Sequence, residues 1–357
     1  MEKDEIIKKP DIKDIKKNLN KKDKILSISF VRALSSLGIL IFHYFCHSNG
    51  NFKFLYGTAN SNWGFMFSTT FFCISGTVLY YNYPKIESIK IFYYKRWKSI
   101  FPSYYICFLY FFINTAFNKK QLFYNGHWTK LFLTLIGLDG YLKYRFNSYY
   151  LIGEWFLGAI IIIYFLYPLI LFIMDINIFI IYIIIGIGFI LMYKTNIFII
   201  QKNNNIITCL NSFYFGMISM KFKKFYFNNS FALIFSLLLL VFLSKVKIYI
   251  NAFILVFQLQ SFSLYILLMQ TGIYIMSKKY AGIFHKISKI SLSIYLIHHR
   301  LIINILELKN PFEWYLHLSL LTLTVLLTII CSKIHLMVVD YVIKSYLFEK
   351  LDSFFLI

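Results

Sequence analysis

Apolar residues in this chain gather in runs of about 20, the length a helix needs to cross a bilayer. Ten such runs can be drawn, over residues 26–46, 63–83, 101–117, 150–173, 176–193, 206–220, 230–243, 250–276, 287–306 and 315–339. The seventh is short and the eighth long, so the boundary between them, near 244–249, is the least sharply marked. The pattern predicts an all-α, polytopic membrane protein of about ten transmembrane helices. Residues 1–25 read as a lysine-rich tail, 26–341 as the transmembrane body and 342–357 as a second tail.

Two connections are more than turns. Residues 84–101, PKIESIKIFYYKRWKSIF, are basic and aromatic, as expected of an amphipathic helix lying in the membrane interface, with Pro102 as a break before the third span. Residues 118–149 form the longest loop, and its middle, 131–138, is apolar enough to lie on or dip into the bilayer.

Composition sharpens this picture. Of 357 residues, 59% are hydrophobic and 15% charged, with a mean hydropathy of +0.64, against about 25% charged residues in soluble domains. A net charge of +22 would point to nucleic acid in a soluble protein. Here the positive charges fall between apolar runs and read as topology signals, so no nucleic acid is expected as a partner. With the N-terminus inside, the inner segments hold 23 lysines and arginines and the outer loops 11. The positive-inside rule then places both termini in the cytoplasm of a multi-pass plasma-membrane protein in contact with the lipid bilayer. Five cysteines, Cys46, Cys73, Cys107, Cys209 and Cys331, are scattered singly, which fits buried thiols and neither a disulfide framework nor a metal motif.

Against this apolar background a few polar stretches stand out. Arg32 and His43 are eleven residues apart in the first run. At about 100° per residue they share one helix face, about 16 Å apart along the axis. Ionisable groups inside a span are costly and mark function by default, and a histidine there is suited to general-base work; an amphipathic ring resting near the end of a span is the plainer reading. His47 lies one turn beyond His43, so an i, i+4 metal pair is conceivable, but no metal motif with carboxylate or cysteine ligands is obvious there, and no metal is expected. Ser75-Gly76 in FFCISGTVL reads first as a close helix contact. Lys95, Arg96 and Lys98 in YKRWKSIFP suit lipid headgroups or an incoming polyphosphate. Glu154 and Trp155 open the fourth run, while Tyr295, His298, His299 and Arg300 lie in the ninth. No internal repeat and no nucleotide-binding loop is visible in the sequence.

In this order, these stretches resemble the membrane acyltransferase-3 family. An arginine and a histidine separated by ten residues (Arg32, His43) are followed by FFxxSG (Phe71, Phe72, Ser75, Gly76) and a basic run ending in proline (Lys95, Arg96, Pro102). A tryptophan–glutamate region ending in tyrosine–proline (Glu154, Trp155, Tyr167, Pro168) and a serine-rich YLIH (Ser291, Ser293, Tyr295, His298) complete the series. Ser99 stands where the family has a second arginine, and the late acidic–lysine–proline motif is replaced around Asp340. The resemblance implies an O-acyltransferase that moves an acyl group, most often acetyl, from acyl-coenzyme A to a hydroxyl of a cell-surface glycan or its lipid-linked precursor. It implies His43 and Arg32 as catalytic residues, and Arg96, Lys98, Lys95, Ser75 and Gly76 at the donor. Glu154, Trp155, Tyr295 and His298 would serve the carbohydrate acceptor or the frame of the site. Acetyl-CoA is then a substrate, no bound cofactor or metal is expected, and homo-oligomerisation is left open. The rival is a transporter or flippase of a lipid-linked sugar, which would use intramembrane charge without acyl transfer.

Overall fold

A computed structural model describes residues 12–48, 56–153, 155–195, 200–247, 253–276, 280–308 and 313–356, except the side chains of 12–26, Trp314, Tyr346 and Leu356. The first eleven residues of the predicted tail and Glu154 lie outside the described residues. No β-strand occurs among those described. The chain runs through α1 (Ile12–His47), α2 (Trp63–Asn82), α3 (Ile89–Lys119), the short α4 (Leu131–Leu135) and α5 (Asp139–Leu142), α6 (Trp155–Ile176) and α7 (Ile178–Lys194). It continues through α8 (Ile206–Lys221), the short α9 (Lys223–Phe227), α10 (Ser230–Lys245), α11 (Phe253–Ile275), α12 (Ala281–Lys289), α13 (Ser291–Leu308), α14 (Trp314–Ile343) and α15 (Tyr346–Leu356).

Each of the ten apolar runs is met by a helix, and five of these are long and apolar enough to cross a membrane: Ser27–His47 of α1, α3, α6, α11 and Tyr315–Ile343 of α14. Four of the other five depart for identifiable reasons. At 16 or 17 residues, α7, α8 and α10 are about 24–26 Å long, short of the ~30 Å hydrocarbon core. Helix α13 is diluted by His298, His299, Arg300 and Glu307. Asparagines set several starts, because a side-chain oxygen accepts an otherwise unpaired N–H of the first turn. Asn62 caps α2, Asn177 α7, Asn205 α8 and Asn229 α10.

The expected break at Pro102 does not occur: α3 runs through it as one 31-residue helix. Pro102 is buried, and Ile100, Tyr104, Cys107 and Phe108 pack on either side of it, so neighbouring helices hold the axis despite the missing hydrogen bond.

Helix α1 is the central element, packed on α2, α11, α12, α13 and α14. Helices α2 and α8 approach most closely, because Gly76 faces the backbone of Phe213 and Gly216 faces that of Cys73. A Cβ at either position would collide with a main-chain carbonyl, so small residues set the spacing. A set of polar side chains buried between α8 and α11 is paired. Asn211 donates to the Gln258 amide oxygen at 2.8 Å, and Gln258 donates to the Thr208 carbonyl at 2.8 Å and to Ser212 Oγ at 2.9 Å. On the outside, α6 and α7 leave Phe165, Phe172, Phe179 and Ile183 exposed, as lipid-facing surfaces require. The loop before α6 folds back on it and centres on the buried Asp139, which accepts from Thr134, Tyr104 and the Gly140 N–H. Burial pushes its carboxyl above the usual carboxylate value.

Candidate active site

The same face of α1 that carries Arg32 and His43 lines a cavity of about 540 Å³. Helix periodicity puts both side chains on that face, and packing of α1 against α2, α13 and α14 walls it in. Ser75 of α2, Arg96 and Lys98 of α3, Trp155 of α6, and Tyr295, His298 and His299 of α13 share the lining. The cavity is therefore one space, with Arg96 and Lys98 toward one end and His43 with His299 toward the other. Among the described residues its lining carries four basic side chains, Arg32, Arg96, Lys98 and Lys289, against the single carboxylate of Asp340. Such a surplus attracts anions.

Arg32 has no ion-pair partner among the described residues; the ion pair found there joins Lys98 to Asp352 at 2.6 Å. Arg96 lies over the Tyr83 ring at 5.2 Å, with a guanidinium nitrogen 3.3 Å from the Tyr83 hydroxyl. Tyr83 is in turn fixed from α6, where the Tyr167 hydroxyl donates to its carbonyl at 2.8 Å. The tyrosine of the tyrosine–proline pair thus supports the cation of the basic run. Lys98 is held from the C-terminal side. Asp352 of α15 accepts from Lys98 and, at 2.7 Å, from the Tyr94 hydroxyl, while Phe355 stacks on Tyr94 at 4.6 Å. The Lys98 and Tyr94 hydrogen bonds hold the Asp352 carboxyl below its ordinary value.

At the other end, four imidazoles meet. The His43 ring lies 4.1 Å from that of His299 and 5.3 Å from that of His298, and His47 lies 5.5 Å from His299. His298 Nδ1 sits 2.7 Å from the Tyr295 carbonyl and 3.0 Å from that of Ile294. Carbonyls only accept, so Nδ1 carries the proton and Nε2 presents a lone pair. That Nε2 is buried with no hydrogen-bond partner among the described residues. His335 of α14 latches the wall, 2.8 Å from Ser293 Oγ and 3.0 Å from the Ser103 carbonyl. Arg300 donates from Nε to the Leu151 carbonyl at 2.5 Å and so fixes the segment leading into α6.

Of the residues singled out in the sequence, Arg32, His43, Ser75, Arg96, Lys98, Trp155, Tyr295 and His298 meet at this cavity. Lys95 is exposed outside it, and Gly76 faces α8, as the packing reading anticipated. Sequence reasoning named His299 without giving it a role and did not single out Tyr83, His335 or Asp352. His299 was within reach, since it adjoins His298 one helical step round α13. The other three act across contacts that no local pattern encodes.

Compared with known families, the chain matches the model described as an acyltransferase domain, Acyl_transf_3, over residues 25–333. Comparisons with curated proteins and with solved structures returned no significant match.

Proposed function

We infer, from the premise that this chain belongs to the acyltransferase-3 family and is an acyltransferase, that it moves an acetyl group from acetyl-coenzyme A to a hydroxyl of a cell-surface glycan or its lipid-linked precursor. The observation that carries this reading is the single cavity joining the Arg96 and Lys98 end to His43. The nucleotide and phosphates of the donor suit the cationic end, where Arg96 offers a planar donor fork already oriented by Tyr83. The pantetheine arm then extends along α1 past Arg32 toward the imidazoles. There a ring nitrogen of His43 takes the proton of the sugar hydroxyl as its oxygen attacks the thioester carbonyl. The C–S bond breaks, and the imidazolium returns the proton to the leaving thiolate, giving an ester and free coenzyme A. Arg32, on the same face of α1, binds a donor phosphate.

In this reading, supported by the bias of positive charge, both termini are cytoplasmic, the donor enters from the cytosol and the acceptor meets it from the far side. Mass spectrometry of the host's surface glycans with and without this gene tests the reading. One acetyl increment should disappear with the gene, and an unchanged glycan profile would overturn it. A solute transporter using the same cavity has no reason to be stabilised by coenzyme A. A rise in melting temperature with coenzyme A therefore favours transfer.

A further inference from the structure

The imidazole cluster is more than one base and its neighbours. His43, His47 and His299 each offer a ring nitrogen, and these atoms lie within 4.8 Å of one another. His43 and His47 are spaced i, i+4 on α1, so they share a face one turn apart; His299 reaches them from α13. In a tetrahedral site with metal–nitrogen bonds of about 2.0–2.1 Å, two ligand nitrogens stand about 3.3–3.4 Å apart. Ring rotations of about 1.4 Å would therefore close the widest gap. His47, at the end of α1, is exposed.

We propose that His43, His47 and His299 form a binding site for a divalent transition ion of the zinc class, and that its occupancy stops acyl transfer by engaging the nitrogen His43 uses as a base. Three neutral imidazoles select zinc, nickel or copper over magnesium or calcium, which require oxygen ligands. No carboxylate completes the set among the described residues, so water or buffer takes the fourth position. His298 is left out of the set because the nitrogens that lie within 4.8 Å of one another belong to His43, His47 and His299. The binding site stands on geometry alone; the inhibition rests on the proposed role of His43.

The test uses the full chain in lipid nanodiscs, stripped with chelator and titrated with zinc chloride, with bound zinc counted after removal of excess. One zinc per chain is expected, at least tenfold weaker binding in His47→Gln, and no competition from magnesium. Cobalt(II) in place of zinc should give the visible absorption bands of a four- or five-coordinate nitrogen site. Equal zinc binding in wild type and His47→Gln, or a cobalt spectrum of the six-coordinate aqueous ion, overturns the site. Coenzyme A release from acetyl-coenzyme A, measured with host membranes as acceptor, separates the two ideas. Zinc should inhibit the wild type and spare His47→Gln. Zinc bound with transfer unimpaired keeps the site and removes His43 as the base. No zinc bound, with transfer lost in His43→Ala, does the reverse.

Discussion

His43 has the sharpest consequence of any single side chain. A positioned base contributes roughly 10²–10⁴-fold, so His43→Ala should lower acetyl transfer by that factor while the protein still inserts and binds coenzyme A. Retention of near-wild-type transfer in a purified assay would remove His43 from the chemistry. Arg96 is predicted to act on binding. Arg96→Lys keeps the charge but loses the fork and the stack on Tyr83. It should raise KM for acetyl-coenzyme A about tenfold, a change of 1.4 kcal/mol, with kcat little altered. A matching fall in kcat would place Arg96 in the reacting step. At this scale the sequence is informative where a residue is chemically out of place. A guanidinium and an imidazole on one face of an apolar run announce themselves. Tyr83 and His335 do not, because an aromatic or a histidine in a span draws attention only once its partner, Arg96 or Ser293, is known.

Among the elements, α15 is the one whose role the hydrophobic pattern concealed. Residues 342–357 read as a tail, yet α15 lies along the first half of α3 and engages Lys98 through Asp352. The Asp352 carboxyl is held below its unfolded value, so the anchoring it provides is fully present above the ordinary carboxylate value of 3.8. That anchoring is lost as the pH falls through the lower value of the folded state. Asp352→Asn should abolish this acid dependence and release α15 at neutral pH, read as faster proteolysis at residues 346–356. Equal protection of α15 in the variant would show that Tyr94, Trp97 and their aromatic partners hold it alone. The α2–α8 contact is legible by contrast, since glycine beside serine in an apolar run points to close packing. Gly76→Leu, which drives side-chain atoms into the Phe213 backbone, should destabilise the bundle by about 1–3 kcal/mol or more, measured as a shift in detergent unfolding. The uninterrupted course of α3 through Pro102 was not legible. Proline signals a break locally, and only packing on both sides overrides it.

At the scale of the whole molecule, the ten runs and their order could be read from periodicity. The joining of Arg32, His43, Arg96 and Lys98 in one cavity could not, because it depends on how α1, α3 and α13 pack across long stretches of chain. Orientation is the molecular property on which the proposed reaction turns. The cationic end of the cavity must face the cytosolic donor, and the imidazole end must face the acceptor. Arg145 lies in the loop between α3 and α6, predicted to be outside, and Glu349 lies on α15, predicted to be inside; both are exposed. In intact cells carrying a cysteine-free version of the chain, a membrane-impermeant maleimide should label Arg145→Cys and leave Glu349→Cys unlabelled, with both labelled after permeabilisation. The opposite pattern would put Arg96 and Lys98 on the side where no coenzyme A is found, and the same cavity would then have to be supplied from the other end.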